Sequence, residues 1–245
     1  MLNYIYDGSF EGLLTSIYEA YYRHENPDRI IPDKLPQLNM LDVNVEIPTH
    51  AEKASKVYNS ILDKISSDAL DNVYYAYLSE EAESGKNIYE YLKLGWKIGA
   101  KVDMFLSEDR VLRLHKTAQR VGIERHRMLG LLRFGECRDG IYYSQIEPDN
   151  NILQLLAPHF ANRMADQNWI IHDIRRGIAA IYNMKNWIIT ELELNSLPDM
   201  SSREDFYQSL WRQYFSSISI DSRRNLKLQL QHMPRRYWPH LTEKL

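Results

Sequence analysis

The sequence predicts an α+β fold, in which helices flank a mainly antiparallel sheet of about five strands and the N-terminal half is rich in helix. Apolar residues recur at helical spacing through residues 50–126, whereas short apolar runs of strand type follow one another between residues 134 and 193. The short strand-loop-strand connections favour antiparallel neighbours over a parallel Rossmann core.

The first fifty residues predict two strands and one helix. Residues 2–6 are apolar and aromatic enough for a short strand, and Asp7 is the expected N-cap of the helix that follows. Prolines make residues 24–39 an expected extended loop. Alternating apolar residues then predict a strand over residues 41–47.

The second half contains the hairpin signals. In RFGECRDGIYYSQIE, Asp139-Gly140 is expected to be a two-residue turn between strands. Further strands are expected near residues 168–174, 178–183 and 187–193. A later helix should direct an apolar face toward a core, using Phe206, Leu210, Trp211 and Tyr214. Helix starts are expected at three capping boxes: Thr49 with Glu52, Asn151 with Gln154, and Ser201 with Glu204.

Composition limits the possible chemistry. The formal net charge is −3, so a nucleic-acid role needs a local basic face. The single cysteine, Cys137, excludes a disulfide framework and a cysteine-rich zinc site, and it cannot by itself hold a 4Fe–4S cluster. We predict no metal and no cofactor. No run of 18 apolar residues and no signal-peptide pattern occur. A cytoplasmic location without membrane contact is therefore expected.

The stretch WIIHDIRRGIAAIYN places a histidine beside an aspartate. If it begins with a strand, His172 and Asp173 point to opposite faces and cannot pair as a catalytic dyad within that strand. Arg175-Arg176-Gly177 would then form a three-residue hairpin loop, with Gly177 in the left-handed position. Two alternatives remain open. His172 could meet a carboxylate on a neighbouring strand, and the two arginines could contact phosphate.

Two other segments are basic. One helix, from residue 108 to about residue 127, has an apolar arc and an opposite basic arc, formed by Arg113, Lys116, Arg120 and Arg127. The tail carries four more arginines: Arg223, Arg224, Arg235 and Arg236. Among these, Tyr237 and Trp238 could stack on an unpaired base. The alternatives are a solvated surface helix and a tail that docks on the core with its arginines reaching solvent.

Several long stretches together resemble one bacterial family. They are YDGSFEGLLTSIYEAY at the start, ERHRMLGLLRF at 124–134, the segment 141–183, and the segment 206–241. The chain is similar there to domain of unknown function 4130 (DUF4130), a family of probable DNA-metabolism or DNA-repair proteins. The resemblance implies a core domain over residues 84–245, with residues 1–83 as a strand-and-helix segment packed on it.

The resemblance also implies partners. Genes of this family typically lie beside one for a radical-SAM protein suspected of DNA modification or repair, and some relatives are fused to a uracil-DNA-glycosylase-like domain. This chain has neither the radical-SAM cysteine triplet nor a glycosylase water-activating loop, so any repair chemistry is expected in the partner. The family supplies only candidate positions, which here are His126, Arg127, Arg133, His159, Arg163, His172 and Asp173.

Three functional hypotheses follow. The favoured one is an accessory DNA-binding protein that acts with a radical-SAM partner. The second is a nuclease or base-processing enzyme with His126, His159 or His172 as general base, which requires these histidines near carboxylates. The third is a protein-interaction module that does not touch DNA. It would use the acidic helices at 63–93 and exposed tyrosines.

Overall fold

The computed structural model describes residues 1–33, 41–193, 198–218, 222 and 225–244, in two compact units, Met1–Gly122 and Ile123–Leu245. The predicted α+β class is confirmed, including the helix-rich N-terminal half. The division expected between residues 83 and 84 falls within the first unit, just before a helix. Packing of residues 1–83 on the core stays a prediction.

The first unit combines a small sheet with helices. Its elements are β1 Leu2–Tyr6, α1 Phe10–Tyr22, β2 Arg29–Pro32, β3 Val43–Glu46, α2 Ala51–Lys64, α3 Ser67–Leu78, α4 Ser84–Ile98, a 3₁₀ turn Gly99–Met104, and the first part of α5, which spans Asp109–Leu131. The strands form a parallel sheet in the order β2-β1-β3. The prediction of an unbroken loop over 24–39 was wrong, because Ile30 and Ile31 between the prolines are buried and pair with β1.

The second unit contains the larger sheet. Its elements are the end of α5, β4 Gly135–Glu136, β5 Tyr142–Ile146, α6 Leu153–Arg163, β6 Asn168–Asp173, β7 Ile178–Asn183, β8 Trp187–Glu191, α7 Glu204–Ser217, α8 Leu226–His232, and the 3₁₀ turns Arg235–His240 and Thr242–Lys244. The strand order is β4-β5-β6-β7-β8, and every pair is antiparallel except β5 with β6. The five-stranded, mainly antiparallel prediction is confirmed. The parallel pair arises because α6 returns the chain before β6 begins.

Both predicted hairpins form, each with a longer loop than expected. Gly140 has a φ of +78°, and the Cys137 N–H donates to the Ile141 carbonyl at 2.9 Å, so the loop contains three residues, 138–140. Gly177 has a φ of +64°, as predicted. Because Asp173 pairs with Ile178, that loop has one residue more than the three expected.

The helix-capping predictions were wrong in their details. Ser9, rather than Asp7, caps α1 by accepting from Gly12 N at 2.9 Å. Asp7 instead accepts from the Thr49 hydroxyl at 2.7 Å, which removes Thr49 from its expected role, and α2 begins after His50 without a side-chain cap. The helices α6 and α7 also begin without side-chain caps. In the second unit, the Ser201 hydroxyl donates to Glu136.

Candidate functional site

His172 lies inside the second unit rather than on a catalytic surface. It is buried on β6, and its Nδ1 lies 2.8 Å from the Tyr143 hydroxyl. Burial lowers the pKa of His172, which favours the neutral ring, and the ring also hydrogen-bonds the Leu192 backbone. These contacts are those of a satisfied core histidine.

The other two histidines proposed as general bases lie in different surroundings. His126 is exposed on α5, whereas the ring of His159 packs edge-on against Phe160 at 5.0 Å. The Nε2 atom of His159 is buried and has no hydrogen-bond partner in the described part of the chain. Within the described ranges, none of these three histidines forms a hydrogen bond or ion pair with a carboxylate. At these three histidines the described residues therefore supply no acid–base pair for the enzyme hypothesis.

Asp173 is held by the hairpin loop. Its side chain is fully buried and forms an ion pair with Arg176 Nη1 at 2.9 Å, and it accepts from the Arg175 N–H at 3.2 Å. Burial raises the pKa of Asp173, and the nearby Arg176 opposes that rise only in part. Arg175 forms a longer ion pair with Asp149 at 3.7 Å. In this arrangement, Arg176 serves the fold of the loop.

The C-terminal segment docks on a buried carboxylate. Glu124 is 2% exposed and accepts hydrogen bonds from Asn150 N at 2.9 Å and Tyr237 OH at 2.5 Å. Arg236 pairs with Asp149 at 2.8 Å. Tyr237 is 1% exposed, so its ring has no free face for a base. This is the arrangement expected of a tail docked on the core.

The remaining predicted tail residues have other surroundings. The Arg235 guanidinium lies 5.8 Å from the centre of the Trp238 ring, and the Trp238 indole donates to the Met233 carbonyl at 3.0 Å. Arg223 and Arg224 lie outside the described residues.

The residues of the predicted basic helix mostly have partners within their own units. In the first unit Arg113 pairs with Glu90 at 3.1 Å, and Arg120 pairs with Glu81. Lys116 is exposed beside a cavity. In the second unit Arg127 donates to the Gln231 carbonyl at 2.9 Å. A phosphate would have to displace a partner at three of these four positions.

A groove in the second unit brings arginines and aromatic rings together. It has a volume of about 1050 Å³, which matches the upper range of ligand clefts. The end of α5, β4, β5, the end of α6 and α7 contribute to it. We call it the arginine–aromatic groove; three arginines and five aromatic residues line it: Arg133, Arg163, Arg203, Phe134, Tyr142, Tyr207, Trp211 and Tyr214.

The three arginines differ in their freedom. Arg133 is fixed by a two-pronged ion pair with Glu243, at 2.7 and 3.2 Å, and its guanidinium lies 5.5 Å from the centre of the Trp211 ring. Arg163 and Arg203 are exposed, and neither has a carboxylate within ion-pair distance among the residues that the structure describes. These two guanidinium groups can bind an anion without releasing an internal partner.

Two carboxylates, those of Glu136 and Glu204, also face this groove. Glu204, at the start of α7, is 7% exposed and accepts from Glu136 N and Gln208 Nε2, each at 2.9 Å. Gly135 permits this approach, since a Cβ there would lie only 3.2 Å from the Glu204 carboxylate. Glu204 therefore attaches α7 to β4, and the groove has a mixed rather than a wholly basic lining.

The prediction that the apolar face of α7 meets a core was wrong. Phe206 is 61% exposed and Tyr214 is 53% exposed, and Leu210 and Trp211 are also exposed. An amphipathic helix that leaves its apolar stripe in solvent indicates a surface for a ligand or partner. The stripe was visible in the sequence, but its exposure was not. Of the positions that the resemblance singles out, Arg133 and Arg163 line the groove.

The described residues define a class: an α+β protein with an open arginine–aromatic groove. They contain no group of three or more side chains able to hold a metal ion, and no helix long and apolar enough to cross a membrane. The model of the DUF4130 family, a domain of unknown function, matches residues 82–243, and the chain belongs to that family. No curated protein and no solved structure matches the chain.

Proposed function

We propose that the protein is an accessory nucleic-acid-binding protein of DNA modification or repair, and that the arginine–aromatic groove takes single-stranded nucleic acid. The observation that supports this most directly is the placement of Arg163 and Arg203 in one groove with the exposed rings of Tyr207 and Tyr214. Neither arginine has a carboxylate partner among the described residues. Such grooves bind strands by pairing cations with phosphates and stacking bases on rings.

A single strand fits this site better than a duplex. Exposed rings offer a stacking face only to bases that are not already stacked in a helix. The two glutamates in the groove oppose phosphates, so charge alone would give only a small attraction. Stacking on α7 should therefore contribute much of the affinity.

The test is fluorescence anisotropy of a labelled single-stranded DNA across a series of salt concentrations. Each phosphate contact to a single strand contributes about 0.7 to the slope of log affinity against log salt. The double variant Arg163→Ala with Arg203→Ala should therefore lower that slope by about 1.4. The matched control is Arg110→Ala with Arg138→Ala, which removes the same two positive charges from outside the groove. The side chains of both arginines are solvent-accessible and ion-paired.

A second variant separates stacking from charge. Tyr214→Ala should weaken binding by about 1–3 kcal/mol and leave the salt slope unchanged. Tyr58→Ala removes a comparably exposed ring on α2 and serves as its control. Equal losses in the groove and control variants would contradict the proposal. If the wild-type protein binds no nucleic acid at low salt, the exposed stripe of α7 belongs to the protein-interaction hypothesis instead.

The proposed partner is a radical-SAM protein, as the family resemblance implies, with a uracil-DNA-glycosylase-like protein as another. One cysteine cannot supply a cluster, so redox chemistry would reside in the partner. Co-purification of the two proteins in nuclease-treated extract tests a direct contact. Loss of the complex on nuclease treatment would mean that DNA alone joins them.

A further inference from the structure

The first unit has an aromatic cluster of its own. Tyr18, Tyr21 and Tyr22 lie on one face of α1, since they are three and four residues apart. The ring centres of Tyr18 and Tyr22 are 4.3 Å apart, and Tyr21 lies 5.0 Å from Trp96 of α4. We call these four residues the α1 aromatic cluster. They form one continuous aromatic surface on α1 and α4.

This surface is open to solvent. Tyr22 is 63% exposed and Tyr21 is 44% exposed. The cluster borders a cavity of about 130 Å³, close in size to the cavities of about 150 Å³ that bind benzene. A cavity of this size admits one planar ring but not a whole drug-sized ligand.

Lysines of α2 lie along the same cavity. Lys56 and Lys64 are eight residues apart on one face of the helix, with Ser60 between them. The Lys56 ammonium lies 6.0 Å from the centre of the Tyr18 ring. Among the described residues, no carboxylate lies within ion-pair distance of Lys56 or Lys64. Lys53 differs, because Glu19 holds it at 2.6 Å.

We propose that the α1 aromatic cluster is a second ligand site, which takes one nucleotide: the base stacks on the tyrosine rings and the phosphate meets Lys56 and Lys64. Both features are needed together. Rings alone would suit any apolar group, and lysines alone would be an ordinary solvated face. The site shares no residue with the arginine–aromatic groove, so it does not rest on the function proposed for that groove.

The nucleotide could be free or part of a strand, and the chemistry of recognition is the same. Titration calorimetry with dAMP tests the first source, and anisotropy with labelled single-stranded DNA tests the second. Both are done on the full chain carrying Arg163→Ala, Arg203→Ala and Tyr214→Ala, so that the phosphate contacts and the stacking contact proposed for the groove are both removed.

In that background, Tyr22→Ala should weaken binding about 5- to 150-fold, which corresponds to the loss of one stacked base. Tyr22→Phe keeps the ring and should bind as the background protein does. Lys56→Ala with Lys64→Ala should weaken dAMP binding while leaving adenosine binding unchanged. Tyr58→Ala and Lys101→Ala change exposed residues outside the cavity and should have no effect. All of these positions are exposed, and circular dichroism checks that each variant folds.

The outcomes are distinct. A loss with Tyr22→Ala for dAMP assigns the site to free nucleotides, and a loss for the oligonucleotide alone assigns it to a nucleotide within a strand. If neither ligand binds the background protein, or if Tyr22→Ala and Tyr58→Ala behave alike, the proposal is overturned. A groove that fails its own test leaves these results unchanged.

Discussion

Tyr237→Phe tests how the C-terminal segment is held in the second unit. The change removes only the hydroxyl that donates to the buried carboxylate of Glu124 at 2.5 Å. The ring stays in place, so the packing of this 1%-exposed side chain is preserved. The hydroxyl also accepts from Arg236 Nη2 at 2.7 Å, and Arg236 keeps its ion pair with Asp149 at 2.8 Å. Any loss of stability then reports the two hydrogen bonds of the hydroxyl.

The magnitude follows from the remaining partners of Glu124. The carboxylate keeps the backbone N–H groups of Asp149 and Asn150, each at 2.9 Å, and the Asn150 side-chain amide at 2.5 Å. It therefore stays charged and mostly satisfied. A hydrogen bond to a charged group contributes about 1.5–3 kcal/mol, so we expect the free energy of unfolding to fall by about that amount.

Urea denaturation followed by tryptophan fluorescence measures the change. Of the five tryptophans only Trp96 lies in the first unit, so the signal reports mainly on the second unit. Tyr207→Phe is the control, because its exposed hydroxyl has no hydrogen-bond partner in the part of the chain that the structure describes. The midpoint should shift without a change in slope. A Tyr237→Phe protein within about 0.5 kcal/mol of wild type would refute the reasoning, since surface changes alone have effects of that size.

Three further predictions concern the same unit and its helix. Burial acts to raise the pKa of Glu124, but its hydrogen bonds outweigh burial and the pKa lies below the usual 4.5. The ionised Glu124 therefore stabilises the folded state above about pH 4.5, and this contribution is lost as the pH falls through the folded-state pKa. Between pH 7 and pH 3, the free energy of unfolding of Glu124→Gln should fall less than that of the wild type. Arg176→Ala leaves the buried Asp173 without its ion pair and should cost about 3–5 kcal/mol in urea denaturation; a loss below 1 kcal/mol would contradict this. Gly177→Ala should lower the free energy of unfolding by about 1–2 kcal/mol, since the φ of Gly177 is +64° and no atom obstructs a Cβ. Gly122→Ala, inside α5, should instead raise it by about 0.5–1 kcal/mol. Thermal unfolding compares the two variants, and equal effects would exclude the backbone explanation.

Local patterns predicted the elements of the second unit, and distant partners decided the details. The hairpin at Gly177 was predictable because alternation and a glycine lie within one short stretch. The failure of the capping box at Thr49 was not predictable, because Asp7, which accepts the hydrogen bond from the Thr49 hydroxyl, is far away in the sequence. β2 was hidden by Pro27 and Pro32, and only its pairing with β1 shows that this extended stretch is a strand rather than a loop.

The groove was predictable only in part. The apolar stripe of α7 is plain in the sequence, but periodicity shows that a face is apolar and not what covers it. Arg203 had no signal of its own, since an arginine before a helix is ordinary. Its place in the same groove as Arg163 depends on how α7 attaches to β4 through Glu204, which is a contact between distant segments.

Ion pairing separates the arginines that hold the second unit together from those available to a ligand. Arg236 pairs with Asp149, and Arg133 pairs with Glu243. An arginine of this kind must release its carboxylate before it binds a phosphate, which reduces the net free energy of binding by the strength of the pair it loses. Arg163 and Arg203 have no such cost within the part of the chain that the structure describes. A count of basic residues in the sequence therefore ranks the basic helix and the tail above the groove as phosphate-binding sites, whereas a count of ion-pair partners reverses that order. The expected result is a salt slope that responds to changes at Arg163 and Arg203 but not to changes at Arg113 and Arg120.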